Sequence, residues 1–174
     1  IITRVLERCL QSVNKDRIVF CTDEKRLSIE SDKLNIHSII TKKECKSGTE
    51  RIASISQKLV NIANNTKNNN RVLQEEILKN TLIINVQGDQ PFLDPSLIKE
   101  MINFCFNKKT LPLLTTPIYK LKPENIHNPN IVKTLINKKK HAIYFSRAAI
   151  PHIRGVDKKD WYKYHTYYGH VGIY

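Results

Sequence analysis

The stretch TLIINVQGDQP, residues 81–91, decides the fold class. Residues 81–86 carry apolar side chains that point to both faces, which is typical of a strand buried inside a parallel sheet. The polar residues Gln87-Gly88-Asp89 end this strand, and parallel sheets bind ligands at the carboxyl ends of their strands. The stretch therefore predicts a buried strand with a functional site at its exit.

Strands and helices alternate on both sides of this strand up to residue 119, which predicts an α/β fold with a mostly parallel sheet flanked by helices. Asp94 and Pro95 are typical first residues of a helix. Two apolar runs, 131–136 and 142–145, flank a lysine-rich turn and predict a β-hairpin excursion near residues 131–146. The other predicted elements are strands at 17–21, 37–41 and 111–119 and helices at 1–13, 52–62 and 95–105.

The composition leaves two classes of protein to weigh. The 174 residues carry 29 Lys and Arg against 16 Asp and Glu, a net charge of +13 that would suit a nucleic-acid-binding domain. However, 21 of the basic residues are Lys and they are scattered, whereas a nucleic-acid surface favours clustered Arg with aromatic residues between them. A solvated surface is the favoured interpretation. No apolar run approaches the roughly 20 residues that span a bilayer, so no membrane insertion is predicted.

The four cysteines predict a reducing compartment rather than a metal site. Cys9, Cys21, Cys45 and Cys105 form no C-x-x-C pair, so the sequence does not support a zinc site. No signal peptide is visible, and the simplest location is the cytoplasm.

Asp89 is the candidate metal ligand. It follows Gly88 at the exit of the predicted strand, and Mg²⁺ typically takes one or two carboxylates together with substrate phosphates. The simpler interpretation is that Gly88-Asp89 forms a turn and that Pro91 ends the strand. Spacing alone favours the turn slightly.

The segment Ser47-Gly48-Thr49-Glu50-Arg51 is a second candidate site. Small residues before a helix expose backbone N–H groups that suit an anion or the edge of a nucleobase. In the alternative interpretation Ser47 is a plain helix cap and Glu50 closes a capping box. Physical considerations alone favour the cap.

Arg147 and His170 are candidates with common structural alternatives. Arginine can clamp a carboxylate through two parallel hydrogen bonds, yet a surface position or a structural ion pair is more frequent. His170 lies near several tyrosines that could be simple packing residues. The sequence contains no P-loop motif and no local Ser/His/Asp or Cys/His set.

Five motifs occur together along the chain. They are SGTER at 47–51, NVQGDQP at 85–91, NPN with VK within 128–133, YFSRA with IP within 144–151, and HVGIY at 170–174. Each motif alone is weak, but five in register are specific. In this order the set resembles the 3-deoxy-manno-octulosonate cytidylyltransferases, the CMP-Kdo synthetases of lipopolysaccharide assembly, and the resemblance runs from residue 1 to residue 174.

The resemblance implies a nucleotide-diphospho-sugar transferase-like fold and a single, incomplete nucleotidyltransferase domain over residues 1–174. It implies CMP transfer from CTP to the acidic sugar Kdo with release of pyrophosphate, Mg²⁺ as cofactor, a homodimer, and no nucleic-acid partner. Asp89 would be the catalytic metal ligand, Ser47–Arg51 would recognise cytidine, and Arg147 and His170 would face Kdo. The implied substrate-binding residues are Ser47, Gly48, Thr49, Glu50, Arg51, Gln87, Arg147, His170 and Tyr174.

Two residues depart from the family pattern. The family usually has Glu at the position of Gln90 and a basic residue at the position of Gly169. The family's N-terminal phosphate loop and its second metal carboxylate are also absent from the 174 residues. We therefore expect this chain to be a fragment that is inactive by itself.

Two alternatives stay open. One is a cytidylyltransferase for another acidic sugar, such as an acylneuraminate. The other, from a different class, is a basic nucleic-acid-binding domain.

Overall fold

The computed structural model describes residues 1–64 and 71–174. The chain divides into two compact units, of which the first comprises residues 1–115 with Tyr174 and the second residues 116–173. Within the described ranges, no helix has the length and apolar character that a membrane span requires.

The first unit is α/β. Its elements are α1 (Ile2–Leu10), β1 (Val19–Thr22), α2 (Lys25–Asp32), β2 (His37–Ile40), α3 (Gly48–Ser54), α4 (Ser56–Asn64), α5 (Arg71–Lys79) and α6 (Pro95–Phe106). Strands β1 and β2 pair in parallel, from Val19 opposite His37 to Thr22 opposite Ile40, and α2 is the crossover that packs against both. A crossover of this kind is what a parallel pair requires.

Helices α1 and α6 confirm the helices that the apolar periodicity predicts over 1–13 and 95–105. Asp94 Oδ1 accepts a 2.9 Å hydrogen bond from the Ser96 N–H, and Pro95 occupies the first turn, as the sequence predicts. The long helix predicted over 52–62 is interrupted at Ile55, between α3 and α4. The apolar faces bury Val5, Leu6 and Cys9 of α1 and Ile98, Met101 and Cys105 of α6.

The predicted mostly parallel sheet is corrected by the structure. Residues 81–86 form no ladder with β1 or β2. Of the strand predicted at 111–119, only the last residues are part of a strand, which runs over Ile118–Lys120. Asn85 and Tyr174 exchange two backbone hydrogen bonds, of 2.7 and 3.0 Å. An apolar pattern specifies burial locally, whereas strand pairing depends on partners elsewhere in the chain. Parallel pairing among the described residues is therefore limited to β1 and β2.

A cleft of about 750 Å³ lies within the first unit. Its walls come from α1, β1, α6 and the extended segment 81–88, and most of its lining is apolar. One part of the lining is polar and contains Asp23, Gly48, Arg51, Asn85, Gln87 and Gly88.

The second unit contains the strands β3 (Ile118–Lys120), β4 (Lys133–Ile136), β5 (Ala142–Ser146) and β6 (Tyr168–His170), with 3-10 helices at Pro123–Asn125 and Lys158–Lys163. The strands form a four-stranded antiparallel sheet in the order β3-β6-β4-β5. The two strands predicted beside the lysine-rich turn pair antiparallel, and Asn137 Oδ1 accepts 2.9 Å hydrogen bonds from two N–H groups of that turn. The core of the second unit packs Leu121, Ile126, Trp161 and Tyr167.

Candidate functional site

Gly48 allows two distant segments of the first unit to meet. A Cβ atom placed on Gly48 would lie 3.2 Å from Gln87 Nε2 and 3.4 Å from Gln87 Oε1. A side chain at position 48 would therefore press on the Gln87 amide. The loop before α3 and the exit of segment 81–86, both predicted as site segments, are in contact.

A directed chain of polar side chains extends from this contact. Gln87 Nε2 donates to Asn85 Oδ1 at 3.3 Å, and Asn85 Nδ2 donates to Thr49 Oγ1 at 3.4 Å. The hydroxyl hydrogen of Thr49 and the side-chain oxygen Oε1 of Gln87 therefore stand at the two ends of this series of hydrogen bonds. Asn85 is buried, and Tyr174 lies beside it through the paired backbone. The arrangement offers one donor and one acceptor to a planar polar ligand.

Arg51 is engaged within the protein. Its Nη2 forms an ion pair with Asp23 Oδ2 at 3.1 Å, and its Nη1 donates to Thr41 Oγ1 and, at 3.3 Å, to the Lys42 carbonyl. The pKa of the Asp23 carboxyl is lowered, first by a hydrogen bond from its own backbone N–H and further by Arg51. Arg51 therefore ties α3 to the carboxyl ends of β1 and β2.

Ser47 and Glu50 act as helix caps. Ser47 Oγ accepts a 3.1 Å hydrogen bond from the Glu50 N–H, and Glu50 Oε2 accepts a 2.7 Å hydrogen bond from the Lys46 N–H. The Ser47 contact confirms that this residue caps α3. Glu50 accepts from the N–H of Lys46 and not from that of Ser47, so the predicted capping box does not close on the cap residue.

Asp89 is exposed at the exit of the extended segment. Its Oδ1 accepts a 3.4 Å hydrogen bond from Gln90 Nε2. Among residues 1–64 and 71–174, no group of three or more His, Cys, Asp or Glu side chains is arranged to hold a metal ion. An exposed carboxylate with so long a hydrogen bond fits a single ligand to a hard cation whose other ligands are substrate oxygens and water.

In the second unit, Arg147 directly follows β5 and His170 is the last residue of β6, so the two residues lie at the same level of the sheet. Lys133 of β4 is paired with Ser146 of β5 on one side and with Gly169 of β6 on the other. Neighbouring strands lie about 4.8 Å apart, so the backbones at Arg147 and His170 are roughly 10 Å apart across β4. A small polar ligand can span that distance.

Arg147 presents one edge of its guanidinium. The side chain is exposed, and its Nη1 donates to the Pro129 carbonyl at 3.0 Å and to the Asn130 carbonyl at 3.5 Å. In the part of the chain that the structure describes, these contacts use Nη1 alone. The Nε–Nη2 edge is therefore available for two parallel hydrogen bonds to a carboxylate.

His170 is held in a defined orientation by Thr116. Its Nε2 lies 2.8 Å from Thr116 Oγ1, and the same hydroxyl donates to the Ile173 carbonyl at 2.8 Å. When the single hydroxyl hydrogen of Thr116 is directed at the Ile173 carbonyl, Thr116 Oγ1 accepts from Nε2 of His170. The ring also packs edge-on against Phe145, with centroids 5.1 Å apart, and burial lowers the pKa of His170.

The lowered pKa of His170 predicts a pH-dependent stability. The unfolded state binds the proton more readily, so the contribution of His170 is complete above the ordinary histidine pKa of about 6.5 and is lost as the pH falls through the folded value. We expect the free energy of unfolding, measured in urea at about pH 7.5 and about pH 5.5, to fall less in His170→Gln than in the parent protein. An unchanged pH dependence in the variant would contradict the assignment. His141→Gln, at an exposed position, is the matched control.

Tyr119 accounts for the glycine at position 169. The two residues are directly paired between β3 and β6, and a Cβ atom on Gly169 would lie 2.7 Å from the Tyr119 ring. The ring thus occupies the space that a side chain at position 169 would need.

Three residues at the site were not predicted from the sequence. Asn85 stands as a polar residue inside an apolar strand, and that signal could have identified it. Asp23 follows a predicted strand, but its pairing with Arg51 depends on the tertiary fold. Lys133 belongs to one of the five motifs, but no role was predicted for it, and its contact with the backbone at Arg147 depends on the tertiary fold.

Comparisons with known proteins confirm the resemblance. The family model described as Cytidylyltransferase matches residues 1–174. The 3-deoxy-manno-octulosonate cytidylyltransferases of Idiomarina loihiensis, Porphyromonas gingivalis and Thermodesulfovibrio yellowstonii are 31%, 32% and 33% identical to this chain, over 99%, 99% and 100% of its length. The chain spans 63%, 61% and 64% of the lengths of these relatives.

A solved structure gives the same result at the level of the fold. It is described as CMP:2-keto-3-deoxy-manno-octonic acid synthetase complexed with CTP, and it matches 99% of this chain and 61% of its own with a TM-score of 0.70 and 26% identity. This likeness supports the α/β fold of nucleotide-sugar transferases. Because the family model matches from the first residue to the last, the chain belongs to the cytidylyltransferase family.

Proposed function

We propose that the protein containing this chain transfers CMP from CTP to Kdo and releases pyrophosphate, giving CMP-Kdo for lipopolysaccharide biosynthesis. The observation that carries the proposal is the contact among the site residues of two segments, and the exposed Asp89 follows Gln87 by two residues. The residues in contact are Gly48, Thr49, Asn85 and Gln87. The names of the relatives and the CTP in the matched structure support the same substrates.

The polar chain at Gln87 matches the edge of cytosine. Cytosine presents an amino donor at N4 beside the acceptors N3 and O2. The side-chain oxygen Oε1 of Gln87 can accept a hydrogen bond from N4, while the Thr49 hydroxyl can donate one to N3 or O2. Asn85 joins the two side chains and is buried, so their positions are set before the nucleotide binds.

Asp89 is the residue that would hold Mg²⁺. It lies at the end of the same extended segment, so a nucleotide whose base contacts Gln87 can bring its phosphates to this carboxylate. When bound, the metal ion would offset the charge of the triphosphate oxygens. The other predicted residues of this unit have supporting roles: Arg51, Ser47 and Glu50 hold the loop that carries Gly48 and Thr49.

Arg147 and His170 would bind the acidic sugar. The Nε–Nη2 edge of Arg147 suits the Kdo carboxylate, and His170 at the same level of the sheet suits a hydroxyl group. The anomeric hydroxyl of the sugar attacks the α-phosphorus of CTP and pyrophosphate leaves. Because covalent chemistry by the protein is not required, catalysis rests on positioning and on stabilising developing charge.

A second candidate function uses the same chemistry on another sugar. An acylneuraminate also carries a carboxylate that Arg147 could clamp, so the guanidinium edge does not by itself distinguish the two sugars. A nucleic-acid-binding role would draw instead on the +13 net charge. Such binding should be weak and strongly dependent on salt, because the lysines are dispersed.

The test is a coupled pyrophosphate-release assay on the full-length protein with CTP, Mg²⁺ and either Kdo or N-acetylneuraminate. We expect release with Kdo and CTP, little with UTP, and little when the sugar is omitted. Release with N-acetylneuraminate and not with Kdo would identify the acylneuraminate as the sugar substrate. Absence of release with both sugars, together with tight binding of DNA or RNA at physiological salt, would overturn it.

We propose three further properties of the whole protein. A homodimer is supported by the exposed apolar side chains Ile143, Tyr144 and Phe145 on the edge strand β5, and sedimentation analysis would test it. A cytoplasmic location is supported by the four cysteines, all of which are free thiols. The two units together would act as one nucleotidyltransferase domain.

A further inference from the structure

Among the residues that the structure describes, Lys133 is a buried cation without a carboxylate partner. Its relative exposure is 0%, and the ion pairs of the described residues do not include it. Its Nζ donates to the carbonyl oxygens of Asn128 at 2.5 Å, Ile131 at 2.9 Å and Arg147 at 2.6 Å. Three acceptors require the three N–H donors of an ammonium group, so the side chain is charged even though burial lowers its pKa.

The three carbonyl groups belong to two separate segments. Asn128 and Ile131 lie at the ends of the loop that precedes β4, and Arg147 directly follows β5. The Lys133 backbone is meanwhile fixed in β4 by pairing with both neighbouring strands. The ammonium group therefore fastens the loop and the exit of β5 to the centre of the sheet.

The same loop also receives the Arg147 side chain. Residues 128–131 present four successive carbonyl groups to two cations: the outer pair accepts from Lys133, and the inner pair, Pro129 and Asn130, accepts from Nη1 of Arg147. The guanidinium is thus oriented by a loop that Lys133 holds in place. Without the ammonium group, the Ile131 carbonyl would lose the donor that Lys133 supplies, and the Asn128 carbonyl would keep the Ile131 N–H at 3.2 Å but lose its link to β4. The loop would therefore lose its anchor to the sheet.

We propose that Lys133 is a positioning residue for the acidic-sugar substrate: it holds the carbonyls of residues 128–131 so that Arg147 presents its Nε–Nη2 edge to the sugar carboxylate. This inference rests on the proposed function of Arg147. It adds a residue that touches neither substrate and acts only through the orientation of Arg147.

The first test compares Lys133→Met, Arg147→Ala and their double variant in the full-length protein, with Lys138→Met on the exposed hairpin turn as the matched control. We expect Lys133→Met to raise the KM for Kdo about tenfold while the KM for CTP and kcat change less than about threefold. The KM for Kdo of the double variant should be no higher than that of Arg147→Ala, because both substitutions remove the same interaction. Additive effects on the KM for Kdo would overturn the proposal.

The second test is chemical rescue. In Lys133→Ala, added ethylammonium can occupy the vacated space and donate to the three carbonyls, whereas tetramethylammonium has no N–H donor. We expect ethylammonium, and not tetramethylammonium, to lower the KM for Kdo towards the parent value. Failure of rescue in a variant with a parent-like thermal transition would overturn the proposal. Loss of folding in both Lys133 variants that ethylammonium does not reverse would assign Lys133 to folding and would also overturn it.

The design separates this inference from the function on which it rests. If Arg147→Ala leaves the KM for Kdo unchanged, the role of Arg147 in sugar binding is wrong and Lys133 has nothing to position. If Arg147→Ala raises that KM and Lys133→Met does not, only the positioning role is wrong.

Discussion

Replacing Asp89 with Asn is expected to lower the kcat of Mg²⁺-dependent CMP-Kdo formation by roughly 100-fold or more, corresponding to about 3 kcal/mol of transition-state stabilisation. The amide keeps the shape of the side chain but removes the negative charge that a hard cation prefers. Because Asp89 is exposed and, within the described part of the chain, accepts a single hydrogen bond, of 3.4 Å from Gln90, its loss should leave the fold intact.

The measurement combines kinetics with binding in the full-length protein. The Asn variant should need more Mg²⁺ for half-maximal rate, and calorimetric titration should show weaker binding of the Mg²⁺–CTP complex. Asp16→Asn removes another exposed carboxylate of the first unit and should behave like the parent. Parent-like turnover by Asp89→Asn at limiting Mg²⁺ would remove Asp89 from the metal site.

Local signals in the sequence predicted the elements that local interactions determine. Asp94 and Pro95 predicted the start of α6 because a cap and a first-turn proline act within a few residues of the helix end. Ser47 was predicted correctly as the cap of α3 for the same reason, whereas Glu50 bonds to the Lys46 N–H and does not close the predicted capping box on Ser47. The apolar residues of 81–86 likewise predicted an extended segment, but the ladder partners expected for it are not those of the structure.

The contacts that build the candidate site are non-local, which is why periodicity could not find them. Gly48 lies against Gln87, and Arg51 pairs with Asp23, only because the first unit brings distant segments together. Lys133 is the extreme case: a lysine in a strand is normally expected to reach water, and its burial becomes understandable only when three carbonyls are seen around it. Resemblance identified the motifs, whereas the structure shows which neighbours hold each motif in place.

Replacing Arg147 with Ala is expected to raise the KM for Kdo by about 30- to 100-fold and to change the KM for CTP by less than about threefold. A bidentate guanidinium–carboxylate pair is among the stronger polar interactions in proteins, and alanine provides neither of its donors. Fold disruption should be small, because Arg147 is exposed and Lys133 still holds the backbone at this position.

Two comparisons separate carboxylate recognition from a general effect of charge. Arg147→Lys keeps the charge but lacks the planar fork, so it should recover only part of the affinity. The parent protein should discriminate strongly between Kdo and its carboxamide, whereas Arg147→Ala should bind the two with similar weakness. Arg154→Ala, at another exposed arginine of the second unit, is the matched control and should keep the parent's preference. An equal rise in the KM for both substrates, or retained discrimination against the carboxamide, would place Arg147 with the phosphates or with the fold and not with the sugar carboxylate.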